Sequence, residues 1–138
     1  SYEFRIFFKR LRRDFMARIL IIDDSDSVRS TLKNLLTEMK HQVVEAEDGQ
    51  IALEILDNEQ NFDLIMCDVN MPNVNGMEFI EQQSAREGIK SIPTIMCTTE
   101  SHPKLVLKAK RVGVVRAWLV KPFKAQRLKE TLERILPA

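Results

Sequence analysis

Five short runs rich in apolar residues, each halted by polar or turn residues, alternate with stretches whose apolar positions recur at helical spacing. That alternation constrains the fold more than any other feature of the chain. The runs Ile19–Ile22, Gln42–Ala46, Phe62–Cys67, Ile92–Cys97 and Val114–Val120 are too short for helices and read as strands of a parallel sheet. Behind Ser25, a suitable helix cap, Val28, Leu32, Leu35, Leu36 and Met39 keep a 3.6-residue period. Asp48-Gly49 turns the chain ahead of a second helix from Ile51, and Met77, Phe79 and Ile80 carry a third that fades towards Glu87-Gly88. Pro103 suits the first turn of a fourth helix ending at Gly113, and Pro137 stops a fifth built on Leu128, Leu132 and Ile135. Strands joined by right-handed helical crossovers make a doubly wound α/β fold, a (βα)5 sandwich of three layers. At 138 residues the chain suffices for one domain with a full core. No GxGxxG or GxxxxGK[ST] follows any strand, which argues against a nucleotide cradle.

In such a sheet the C-terminal ends of the strands share one edge, and ligands bind there. The first run ends at Asp23-Asp24, the third at Asp68, the fourth at Thr98 and the fifth at Lys121. Three carboxylates, a hydroxyl and an ammonium therefore converge on one crevice. Clustered carboxylates repel one another and invite a cation. Oxygen ligands without His or Cys select Mg2+ over zinc. Lys121 supplies a mobile point charge suited to a phosphoryl group. A salt bridge or a helix cap explains any one of these positions well and the combination poorly.

Charge and cysteines narrow the partners. The net charge of +1 argues against a dominant nucleic-acid surface, yet it hides an asymmetry. Residues 1–15 hold Arg5, Lys9, Arg10, Arg12 and Arg13 against Glu3 and Asp14, which leaves the rest of the chain mildly acidic. In this leader Phe4, Phe7, Phe8, Leu11 and Phe15 recur at helical spacing, as in a basic amphipathic helix for an anionic membrane or a partner helix. The duller reading starts the domain at Met16, with residues 16–138 as its extent, and sets the leader aside. Cys67 and Cys97 have no CxxC spacing and read as small buried hydrophobes, as befits a reduced, cytoplasmic protein. No run reaches the roughly 20 apolar residues of a membrane span. His41 and His102 lack companions and read as surface residues.

These residues carry a resemblance. The acidic pair Asp23-Asp24, the Asp-x-x-Met-Pro-x-x-x-Gly motif from Asp68 to Gly76, Thr98 and Lys121-Pro122-Phe123 occur in the order found in response-regulator receiver domains. From about Arg18 to Leu136 the chain is most similar to the single-domain chemotaxis type. The resemblance implies a flavodoxin-like sheet of strand order 2-1-3-4-5, for which a chemotaxis receiver is a standard example. It implies that Asp68 accepts a phosphoryl group from a sensor histidine kinase or phosphotransfer protein in a two-component system, forming an acyl phosphate. Asp23, Asp24, Asp68 and the backbone carbonyl of Asn70 are implied Mg2+ ligands, and Lys121 offsets the charge that arrives. Asn70 and Glu100 stand where the family tunes the lifetime of the phosphate. Thr98 and Trp118 stand at the switch positions, Trp118 where relatives usually carry Tyr or Phe, and the output face comprises helix four, strand five and helix five. Lys104, Lys108, Lys110 and Arg111 give that face a basic cast. Lys121-Pro122 matches the family's cis peptide. The spacing from Gly113 to Trp118 is one residue longer than usual, an excess that a bulge or a shifted helix end can absorb. The product is a phosphorylation-driven switch that self-catalyses phosphotransfer and dephosphorylation rather than a conventional enzyme, with no membrane span and no direct binding of nucleic acid. The alternative is the isolated receiver of a larger transcriptional regulator whose output domain is absent. A haloacid-type phosphohydrolase ranks low, because Asn70 holds the place of its second Asp and cannot titrate.

Overall fold

The computed structural model describes residues 16–137 and, within the leader, Glu3; the expectations for residues 1–15 otherwise lie outside the described residues. Five strands alternate with five helices: β1 (Arg18–Ile22), α1 (Asp26–Glu38), β2 (Gln42–Ala46), α2 (Gly49–Asn58), β3 (Leu64–Cys67), α3 (Gly76–Ser84), β4 (Thr94–Thr98), α4 (Pro103–Val112), β5 (Val115–Val120) and α5 (Ala125–Ile135). The strands form one parallel sheet in the order β2-β1-β3-β4-β5, as expected.

Period-two alternation explains why helices cover both faces. Leu20, Ile22, Ile65, Cys67 and Met96 point to one side and pack with Leu53 and Leu56 of α2, Phe79 and Ile80 of α3 and Ala109 of α4. Ile19, Ile21, Leu64, Met66, Ile95, Cys97 and Leu119 point to the other and pack with Leu32 and Leu36 of α1 and Leu128 and Leu132 of α5. Both faces are apolar because both are covered.

The local signals operate much as their chemistry predicts. Ser25 caps α1 by accepting from the Val28 N–H, and Pro103 opens α4. The extra residue before Trp118 is taken up as a bulge: Thr94 pairs with Val115, Ile95 pairs with Ala117, and Arg116 is left without a partner. Gly113 ends α4 with φ of 95°, the left-handed conformation that favours glycine.

Other readings are corrected. β3 starts at Leu64 rather than Phe62, whose buried ring instead carries the Arg18 guanidinium 4.4 Å above it. β4 starts at Thr94 and runs on through Thr98, and β5 starts at Val115 rather than Val114. Asp48-Gly49 is no simple turn, since Asp48 caps α2 and Gly49 is its first residue. α3 stops at Ser84, where fully buried Gln83 donates to the carbonyls of Ile89 (3.1 Å) and Ile92 (2.9 Å) and accepts from Thr94 Oγ1 (2.9 Å). His102 is exposed as expected, and its Nδ1 accepts from Lys104 N–H at the start of α4.

His41 is half-buried, and its Nδ1 accepts the Ala17 N–H at 3.0 Å, a bond only the ring unprotonated at Nδ1 can make. Burial lowers its pKa from the ordinary value, against the opposing pull of Asp63. The stability from this contact is fully present above the unfolded value of about 6.5 and is lost as pH falls through the depressed folded value. Denaturant melts taken from pH 7 to pH 5 will show this decline, and His41→Asn, whose Oδ1 replaces Nδ1 as acceptor, will flatten it.

Candidate functional site

The strand ends bring the expected groups together. Carboxylate oxygens of Asp23, Asp24 and Asp68 all lie within 4.8 Å of one another. Asp23 is 2% exposed, Asp68 is half-buried, and Asp24 faces solvent. Lys121 spans the cluster, with Nζ 2.5 Å from Asp23 Oδ2 and 3.3 Å from Asp68 Oδ2. Burial would lower the pKa of this ammonium, but the bond and charge of Asp23 and the charge of Asp68 raise it above the ordinary lysine value. Lys121 is therefore charged throughout the neutral range.

Backbone contacts set these side chains. Asp68 N–H donates to the Ile22 carbonyl at 2.9 Å, which fixes the end of β3 beside the end of β1. Asp68 Oδ1 accepts the Val69 N–H at 2.7 Å, which orients the carboxylate. Lys121 N–H donates to the Thr98 carbonyl at 2.9 Å, which joins the ends of β4 and β5, and the Lys121-Pro122 bond is cis as expected. Asp23 Oδ1 accepts the Ser25 N–H at 2.9 Å, so the turn into α1 holds the first carboxylate.

Thr98 is fully buried, and its hydroxyl accepts the Glu100 N–H at 3.3 Å. Glu100 is also gripped twice from neighbouring elements. Its carboxylate accepts from Asn70 Nδ2 at 3.2 Å, and its carbonyl accepts from the indole N–H of half-buried Trp118 at 2.7 Å. Asn70, Glu100 and Trp118 thus form one hydrogen-bonded chain, joined at Glu100 by Thr98 at the end of β4.

Two participants escaped the sequence reading. Arg29 on α1 is 7% exposed, donates to the Asp23 carbonyl at 2.6 Å, and pairs with Asp26 and with Glu45 of β2 at 3.4 Å. Its place three residues before Leu32 and seven before Leu36, on the buried face of α1, was the available signal. Asp48, 5% exposed, is the other. The cysteines are buried as expected. Burial, with the Asp68 and Asp23 carboxylates nearby, pushes the Cys67 thiol well up, and burial pushes Cys97 up to about 12. Both therefore stay protonated thiols at neutral pH.

The donor set suits a hard divalent cation. It consists of carboxylate oxygens alone, with one member exposed for entry and no imidazole or thiolate to favour zinc. A carboxylate beside such a cation and an ammonium can accept a phosphoryl group, because these two cationic groups offset the negative charge it brings. Among the described residues no helix is long and apolar enough to cross a membrane.

The chain matches the family model "Response regulator receiver domain" over residues 19–133. It is 38% identical over 120 residues to the chemotaxis protein CheY homolog of Campylobacter jejuni, covering 86% of this chain and 92% of that protein. It is 39% identical over 119 residues to the chemotaxis protein CheY of Pseudomonas aeruginosa, covering 86% of this chain and 94% of that protein. The solved structure of the chemotaxis response regulator CheY4 of Vibrio cholerae aligns with a TM-score of 0.81 at 38% identity, over 88% of this chain and all of that one. The signal receiver domain of a signal transduction histidine kinase from Syntrophus aciditrophicus aligns with a TM-score of 0.79 at 29% identity, over 87% of this chain and 89% of that one.

Close packing beneath the acidic residues yields a prediction. A Cβ at Gly76 would stand 2.1 Å from the Asp68 carbonyl oxygen and 2.8 Å from Val69 Cα, with backbone on both counts. Gly76→Ala will therefore push the β3–α3 connection away from Asp68 and cost about 2 kcal/mol or more in urea melts.

Proposed function

The chain belongs to the response regulator receiver domain family, and from that premise we propose that it is the phosphoacceptor switch of a two-component signalling system, with Asp68 as the acceptor. The observation that carries this reading is the Asp68 carboxylate held between the Lys121 ammonium and the Asp23–Asp24 pair. An oxygen of Asp68 attacks the phosphorus of a phosphohistidine on a sensor kinase or phosphotransfer protein. The P–N bond breaks, its electron pair stays on the imidazole, which takes a proton from solvent, and an acyl phosphate forms. Asp23, Asp24, Asp68 and the backbone carbonyl of Asn70 would hold Mg2+, which when bound offsets charge on the transferring group. Lys121 exchanges part of its contact with Asp68 for a phosphoryl oxygen.

The switch runs through Thr98. Its hydroxyl accepts from Glu100 N–H, which leaves its own proton to donate to a phosphoryl oxygen. Movement of Thr98 carries Glu100, and Glu100 carries Trp118 through the indole bond. The readout falls on α4, β5 and α5, where Trp118, Val120, Pro122, Phe123, Arg127 and Glu130 are among the residues lining an open groove of about 500 Å3. Exposed Lys104, Lys108, Lys110 and Arg111 keep the basic cast read from the sequence. Asn70 and Glu100, linked at 3.2 Å, shield the acceptor and set how fast water hydrolyses the acyl phosphate. The protein works in the cytoplasm as a switch and spends its phosphoryl group on signalling rather than on turnover. The alternative of a receiver cut from a transcriptional regulator is not favoured, since the similar chemotaxis proteins are matched over more than nine-tenths of their own length.

Incubation with Mg2+ and acetyl phosphate will add one phosphoryl group by intact mass. Asp68→Asn and a chelator will each abolish the gain, and Trp118 fluorescence will change only where mass is gained. A chain that gains no mass under these conditions is not a phosphoacceptor.

A further inference from the structure

Asp48 takes no part in the reaction above, yet both its carboxylate oxygens are engaged. Oδ1 caps α2 by accepting the Ile51 N–H at 2.9 Å, and Oδ2 accepts from Asn73 Nδ2 at 2.8 Å. Asn73 belongs to the connection between β3 and α3 and has φ of 64°, in the left-handed region. Beside it the Gly49 N–H donates to the Val74 carbonyl at 3.0 Å, an approach so close that a Cβ on Gly49 would lie 2.5 Å from that oxygen. The same connection is closed at its neck by Gly76 N–H donating to the Val69 carbonyl at 2.8 Å. The loop that leaves Asp68 and carries Asn70 is therefore tied at both ends, and the far tie comes from the start of α2.

Asn70 is proposed to offer the cation a backbone carbonyl. A side-chain ligand can be re-aimed by rotation about its χ angles, whereas a backbone carbonyl points wherever its loop holds it. Mg2+ demands near-octahedral geometry at about 2.1 Å, so its affinity is sensitive to that aim. We propose that Asp48 is a positioning residue for the divalent-cation site, holding the Asn70 carbonyl towards Asp23, Asp24 and Asp68 through its bond to Asn73. The inference rests on the reading of Asn70 as a ligand given above. Burial disfavours the Asp48 charge, but the N–H of Ile51, the amide of Asn73 and the N–H of Gln50 outweigh it and hold the carboxyl below its ordinary pKa. The tie is thus charge-assisted at neutral pH.

Two substitutions separate the tie from the cap. Asp48→Ser keeps an N-cap oxygen but cannot span to Asn73. Asn73→Gly removes the amide while keeping a residue that accepts the positive φ. Mg2+ would be titrated calorimetrically into the unphosphorylated full chain, as wild type, each single variant and the double variant, with thermal melts to show that each is folded. Each single variant will bind Mg2+ about tenfold more weakly than wild type. The double variant will be no weaker than the weaker single, since both remove the same bond. Phosphorylation by acetyl phosphate will recover towards the wild-type rate at saturating Mg2+. Wild-type affinity in the single variants, or losses that multiply in the double, overturns the proposal. A wild-type chain that binds no Mg2+ overturns the metal reading and this inference with it.

Discussion

An ammonium ion held between carboxylates from two different strands is the contact on which the functional edge depends. Oxygens of Asp23 and Asp68 within 4.8 Å of each other repel by about 3 kcal/mol at an effective dielectric near 20. Lys121, distant from both in sequence, offsets that repulsion and so ties β5 to the ends of β1 and β3. The lysine is aimed by its own backbone, whose N–H is bonded to Thr98. The electrostatics of the site and the pairing of the last two strands are therefore one constraint. The same residue thus contacts Asp68 through its side chain and Thr98 through its backbone.

Much of this was legible in the chain because it follows from short-range chemistry. Apolar runs such as Leu64–Cys67 have no stable placement except between two layers, and the polar residue that stops each run must then sit at the strand end. Once the strands are parallel, Asp23, Asp68, Thr98 and Lys121 share an edge. The excess residue between Gly113 and Trp118 was countable, and a bulge is one of the few ways a strand can take it up.

What escaped were polar groups that enter the interior with partners. Arg29, Asp48, Gln83 and the imidazole of His41 look like loop or surface residues when read alone. Arg29, Asp48 and Gln83 are buried and His41 half-buried because a specific acceptor or donor, tens of residues away in some cases, meets each: Glu45 for Arg29, Asn73 for Asp48, Thr94 for Gln83, Ala17 for His41. Hydropathy records what a residue prefers in water, whereas burial of a polar group depends on complementarity that only the fold supplies. Strand boundaries slipped for a related reason. Phe62 is as apolar as a strand residue, but it closes the core beneath Arg18 and pairs with no neighbouring strand.

The bulge at Arg116 has a consequence beyond length. β5 lies at the rim of the sheet, and its outer side presents unpaired backbone groups to any extended chain that collides with it. A regular strand there would be a template for sheet growth from molecule to molecule. The extra residue breaks the even spacing of those groups and adds local twist, and Arg116 and Val120 stand exposed along the interrupted ladder. One extra amino acid thus makes the rim a poorer template for strand addition, while Trp118 beyond it pairs in register with Met96.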